Sequence, residues 1–168
     1  MKKVLITVLS SLAVVSCAST SESEQVSSTS DINYSQLSQT ALMTAVDMWS
    51  QKNEATPFTS TLANSLSDKE SVTNEQAIGG VGSMLALAQN TLDNFDNQEL
   101  EMLFPAISTL DSTGLTSVLD SKTSVENAFS GLGMDSSMVA AFAPIIIQGL
   151  ESQGATSGLV DSLEAIWL

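Results

Sequence analysis

The sequence predicts an all-α fold: a compact bundle of about six or seven short helices behind a disordered tether. After residue 33, apolar residues recur at helical spacing along nearly the whole chain. Cap signals stand before several of those runs. Convincing strand alternation and Asn-Gly hairpin turns are missing. The Ile145-Ile146-Ile147 run is β-like in composition, but its flanks read as helix.

The chain begins with an address. Lys2 and Lys3 form a basic start, and residues 4–15 are apolar apart from Thr7, Ser10 and Ser11. That is signal-peptide grammar, which sets residues 1–16 apart from the fold. The stretch is shorter than the ~20 apolar residues of a membrane-spanning helix. Val14-Val15-Ser16-Cys17 resembles the bacterial lipobox: two aliphatic residues, a small one, then cysteine. The resemblance implies cleavage before Cys17, a diacylglyceryl thioether on its sulfur and acylation of the new amine. Two or three acyl chains give stable anchoring where one is marginal. Ala18, rather than Asp, follows the cysteine and favours outer-membrane sorting. The expected place is therefore the cell envelope, at the outer membrane and facing the periplasm.

Residues 17–33 carry the lipidated cysteine and a Ser/Thr/Glu-rich run with almost nothing to bury. As a flexible coil this tether reaches about 20–25 Å. The helical domain is expected over residues 34–168. Asn33 and Gln36 fit a capping box for the first helix, whose stripe is Leu37, Ala41, Leu42, Ala45, Met48 and Trp49. Thr56-Pro57 reads as N-cap and first residue of a second, with Phe58, Leu62, Ala63 and Leu66 inward. Thr73 and Gln76 form a capping box for the third, and Val72 with Ala77 fits the hydrophobic staple. Its face continues through Val81, Met84, Leu85, Ala88 and Leu92.

Asp96 with Glu99 opens a fourth helix, carrying Leu100, Leu103, Phe104, Ile107 and Leu110, which Pro105 must kink or split. Short helices are expected around residues 115–119 and 125–129. Gly131 and Gly133 then punctuate the chain, and Asp135 caps the next helix. Residues 138–147 are apolar nearly all round, which predicts the central buried helix. Pro144 bends or restarts it, and Gly154 stops it. Ser157 caps a last helix with Leu159, Val160, Leu163, Ile166 and Trp167 on one face.

Two segments carry a family resemblance. Gln76-Ala77, followed by Gly79-Gly80-Val81-Gly82-Ser83-Met84-Leu85, is one. Gly133-Met134-Asp135, Met138, Phe142, Pro144 and Ser152-Gln153-Gly154 mark the other. Together they resemble the VcgC/VcgE domain of unknown function over residues 57–168. The resemblance implies a small bacterial helical protein without an assigned activity. It supplies no catalytic residues.

Length and composition exclude several function classes. The 168 residues suit one modest domain. Nineteen acids face five basic residues, all lysine, for a formal charge of −14, and there is no His or Arg. A catalytic triad with a His base is excluded. So are His-containing or Cys-cluster zinc sites and an intrachain disulfide. An acidic, Arg-free chain is a poor partner for nucleic acid. No metal or cofactor is expected, and the protein is expected not to be an enzyme.

Particular constellations still carry chemistry in principle. Gly79, Gly80 and Gly82 lack the Lys of a phosphate loop and sit inside a capped helix, so they are assigned to close helix packing. Asp93, Asp96, Glu99 and Glu101 suggest weak calcium binding. Phe95 and Gln98 stand where an EF-hand loop wants a ligand and a Gly, which favours a helix N-terminus instead. Lys52, Lys69 and Lys122 offer a Ser–Lys dyad, yet all three lie in polar stretches. Trp49 and Trp167 fall on apolar stripes and read as core, as do most of the methionines.

Three functions follow in order. The first is a non-catalytic envelope lipoprotein whose domain is structural or binds another envelope protein or itself, with an exposed apolar patch rimmed by acids. The second is a binding module for a small amphiphile or acyl chain, with a closed apolar cavity of about 300–1,000 Å³. The third is a carboxylate-only hydrolase, with facing acids of raised pKa.

Overall fold

A computed structural model of the chain describes residues 34–53 and 56–168. The expected leader, Cys17, the tether and the Asn33 cap lie outside the described residues. The described chain runs α1 (Tyr34–Asn53), α2 (Pro57–Glu70), α3 (Asn74–Thr91) and α4 (Asn94–Leu103). A 3-10 helix (Pro105–Thr109) and the single turns α5 (Leu110–Thr113) and α6 (Leu115–Val118) follow. Then come α7 (Lys122–Gly131), α8 (Met138–Ser152) and α9 (Ser157–Trp167). Every described element is helical, so the all-α expectation holds.

The local signals explain most boundaries. The capping box of α3 is complete: Thr73 Oγ1 accepts from the Gln76 amide at 3.2 Å, and Gln76 Oε1 accepts from the Thr73 amide at 2.9 Å. Pro57 stands at the first position of α2, where its missing N–H costs nothing. Helices α7 and α8 both end in Schellman turns. Met134 N–H donates to Phe129 O at 2.9 Å, and Ala155 N–H to Leu150 O at 3.1 Å. The left-handed residues these turns need are Gly133, at φ 77°, and Gly154, at φ 98°. Pro105 does split its helix: α4 stops at Leu103, and the chain resumes as the 3-10 helix.

Several expected details move. The α1 stripe turns inward through Leu42, Ala45, Val46 and Trp49, while Ala41 and Met48 face solvent. Asp93, not Asp96, caps α4; its carboxylate accepts from the Phe95 and Asp96 amides at 2.9 Å each. Thr156, not Ser157, caps α9. Asp135 stands before the turn that leads into α8 and accepts from the Ser137 amide at 2.8 Å. Helix α8 neither breaks nor restarts at Pro144, because the proline lies on its exposed side. There the carbonyl deprived of an N–H can turn to water.

The largest correction concerns the centre. It is α3, not α8. Every residue from 77 to 88 is buried. Helices α1, α2, α6, α7, α8 and α9 and the 3-10 helix all pack on α3. By contrast α8 exposes Ala140, Pro144 and Gln148, one residue per turn.

Candidate functional site

Gly79, Gly80 and Gly82 let α3 be enclosed. A Cβ on Gly80 would stand 2.6 Å from Phe142 Cε1, and one on Gly82 would stand 2.5 Å from Trp49 Cε3. One on Gly79 would meet Val46 Cγ1 at 2.9 Å. Carbon atoms in contact sit about 3.5–4.0 Å apart, so no larger residue fits this arrangement. The row is a packing surface rather than an anion cradle. It also joins the two segments that carried the family resemblance: Phe142 and Phe129 meet edge-on at 5.0 Å over Gly80. The Gln76 side-chain amide completes the junction, its Nε2 donating to Leu132 O at 2.9 Å.

The acidic cluster has structural work. Glu99 is buried, and its carboxylate accepts from the Thr156 amide at 2.6 Å and the Thr156 hydroxyl at 2.9 Å. Asp96 accepts from the Ser162 hydroxyl at 2.6 Å. These bonds tie α4 to the start and middle of α9. Among the described residues, no group of three His, Cys, Asp or Glu is placed to hold a metal ion. Among the described residues, Glu75 and Asp135 have carboxyls displaced from their ordinary range, both downward. Glu75 is stabilised as an anion by its own amide and the Thr73 hydroxyl. For Asp135 the donors are the Ser137 hydroxyl, then the Ser137 amide.

Lys52 does approach a serine, with Nζ 3.3 Å from Ser112 Oγ. Both residues are exposed, and the serine hydroxyl donates to Thr109 O at 2.8 Å. Nothing there desolvates the amine or directs the hydroxyl at a substrate. Lys122 Nζ donates to Trp167 O. Trp49 and Trp167 are fully buried, as expected, and the Trp167 indole donates to Met84 O at 3.2 Å.

Two surface features remain as candidate sites. The first is on α4. Phe95 is 73% exposed and Met102 is 76% exposed. Seven residues apart, they lie on one side of the helix about 10 Å from each other. Asp93, the cap of α4, and Glu101 on α4 are exposed, as are Asp161 and Glu164 on neighbouring α9. Neither α4 nor α9 contains a lysine. Helical spacing leaves Phe95 and Met102 off the stripe of Leu100 and Leu103, but it does not show how exposed they are.

The second feature is a groove of about 480 Å³ between α2 and α8. Phe58, Leu62 and Ile145 supply apolar lining, while Ser65, Lys69 and Gln148 are among its polar residues. Its volume falls within the range expected for an amphiphile site. It is an open groove, however, rather than the closed cavity expected.

A family model described as "Protein of unknown function VcgC/VcgE" matches residues 8–164. The match begins well before residue 57, includes all of α1 and ends at residue 164 rather than 168. No curated protein and no solved structure matches the chain.

Proposed function

The chain belongs to the VcgC/VcgE family of proteins of unknown function, and from that premise we propose an envelope lipoprotein whose helical domain is a non-catalytic protein-interaction module. The observation that carries the reading is the pair Phe95 and Met102, held in water on α4 while the large apolar residues Leu100 and Phe104 are buried. Two large apolar side chains left outside on one helix face, with exposed carboxylates on the same helix and on α9, support the acid-rimmed patch such a module needs. The lipobox resemblance at Cys17 supplies the anchor, and residues 18–33 supply the reach to a neighbour.

The test is photocrosslinking in cells from position 95, with position 130 on α7 as the exposed control. A discrete adduct from 95 and none from 130 is expected. Equal or absent adducts at both positions would overturn the reading. Lipidation is read separately: Cys17→Ser should abolish incorporation of labelled fatty acid and release the protein from the membrane fraction.

The groove between α2 and α8 supports a second reading, a site for a small amphiphile. Its apolar side chains would take a short acyl chain and its polar residues a head group. Native mass spectrometry of the protein from Ala18 onward decides this, through an added mass of a few hundred daltons (on the order of one ligand of the size such grooves hold) that denaturation removes. A carboxylate-only hydrolase has less support, since Asp93, Asp96 and Glu99 already serve caps and helix-to-helix bonds.

A further inference from the structure

We infer that the partner of the α4 face is a cationic amphipathic helix of another envelope protein; the inference rests on the interaction reading above. Phe95 and Met102 offer two apolar anchor points at a seven-residue spacing, the repeat at which a second helix presents side chains along one face. The exposed charge on α4 and α9 is acidic, and Lys122 reaches α9 only at its last residue, through Trp167 O. Asp93, Glu101, Asp161 and Glu164 are exposed on α4, its cap and the adjoining α9. Apolar anchors settle contact, and charge of opposite sign selects which helix makes it.

The same charges argue against two other occupants. In a two-fold contact, the same patch faces its own copy, so Glu101 and its neighbours would meet carboxylates. An anionic lipid surface would repel the rim before Phe95 reached the acyl region. A helix with lysine or arginine flanking an apolar stripe satisfies both the anchors and the rim.

The probe is a synthetic amphipathic peptide of about 18 residues, five helical turns, with leucine on one face and lysine on the other. Its twin carries glutamate for each lysine. Binding to the protein from Ala18 onward is read by fluorescence anisotropy. The lysine peptide is expected to bind at least about tenfold more tightly than its twin. Binding should weaken as salt rises from about 0.01 M to 0.15 M, which shortens screening from roughly 30 Å to 8 Å. F95S/M102S should lose about tenfold in affinity at unchanged melting temperature. Reversing Glu101 and Glu164 to lysine should weaken binding more than reversing Asp47 and Asp68, which are exposed on α1 and α2.

Equal loss from both pairs of reversals, or binding indifferent to F95S/M102S, would reduce the effect to net charge and overturn the inference. Equal binding of the twin, or binding of neither peptide, would overturn it too. A dimer in sedimentation that F95S/M102S dissolves would replace the cationic partner with a second copy, leaving the interaction reading intact. Failure of crosslinking from position 95 would remove that reading itself.

Discussion

Helices α3 and α8 look misassigned if hydropathy decides which one is central. Helix α8 holds Val139, Phe142, three consecutive isoleucines and Leu150, whereas α3 holds three glycines and three alanines in its middle. Yet α3 is enclosed from residue 77 to 88, and α8 keeps Ala140, Pro144 and Gln148 in water. A bundle's axis goes to the helix that neighbours can approach from every side. Thinness permits that approach, and a large side chain prevents it. The bulk sits instead on the helices that reach inward: Trp49 from α1, Phe129 from α7 and Phe142 from α8 fill the space that Gly80 and Gly82 leave.

Phe142 is fully buried and packs on α3 at Gly80. Phe142→Ala should cost about 3–5 kcal/mol, as a buried ring is lost and a cavity remains. Gly80→Ala, destabilising alone, should become less costly in the Phe142→Ala background, because the ring it would strike is gone. A coupling of about 0.5–3 kcal/mol in a denaturant double-mutant cycle is expected, and strict additivity would show that the two do not share that space.

Gly82→Ala is a test of sign. Helix propensity alone gives alanine about 1 kcal/mol over glycine. The enclosed geometry sets its methyl against the Trp49 indole, and a net loss of about 1–3 kcal/mol is expected. A stabilised variant would mean that α3 has room to spare.

The helix starts give smaller effects. Thr73→Ala opens the α3 capping box and should cost about 1 kcal/mol in urea unfolding. At the α8 start, Asp135 is held below the usual carboxylate range chiefly by the Ser137 hydroxyl. Its contribution is therefore present above about pH 4, the unfolded value, and is lost as pH falls through the lower folded value. The melting temperature of Asp135→Asn should fall less steeply than wild type on that acid limb; parallel curves would remove Asp135 from the account.

Local signals were legible in the sequence where one turn of chain contains all the partners. The Thr73–Gln76 box, Pro57 at the start of α2, the split at Pro105 and the stop at Gly154 are of this kind. The packing role of the glycines was legible too, since mid-helix glycine needs a compensating close approach. The direction of each face is set by the neighbours it packs on, which one turn of chain does not contain. Periodicity admits both Val46 and Met48 to the α1 stripe, and only the neighbours select Val46. Helical spacing keeps Met102 off the Leu100 stripe, but it does not say that the side chain is left in water. Asp93 and Asp96 are both competent caps, and the long-range bond from Ser162 occupies the second. Thr156 and Ser157 differ by one position, and the hydrogen bonds to the Glu99 carboxylate fall on the threonine.

The enclosure of α3 also governs how the domain opens. Amides near Val81 and Leu85 are covered on all sides, so deuterium reaches them only when the surrounding helices part together. Their exchange rate is thus a gauge of global unfolding. The outward row of α8 has no such cover, and brief local openings suffice to label it. Motions that free a single surface helix therefore leave the axis intact, and the domain can yield at its periphery without coming apart.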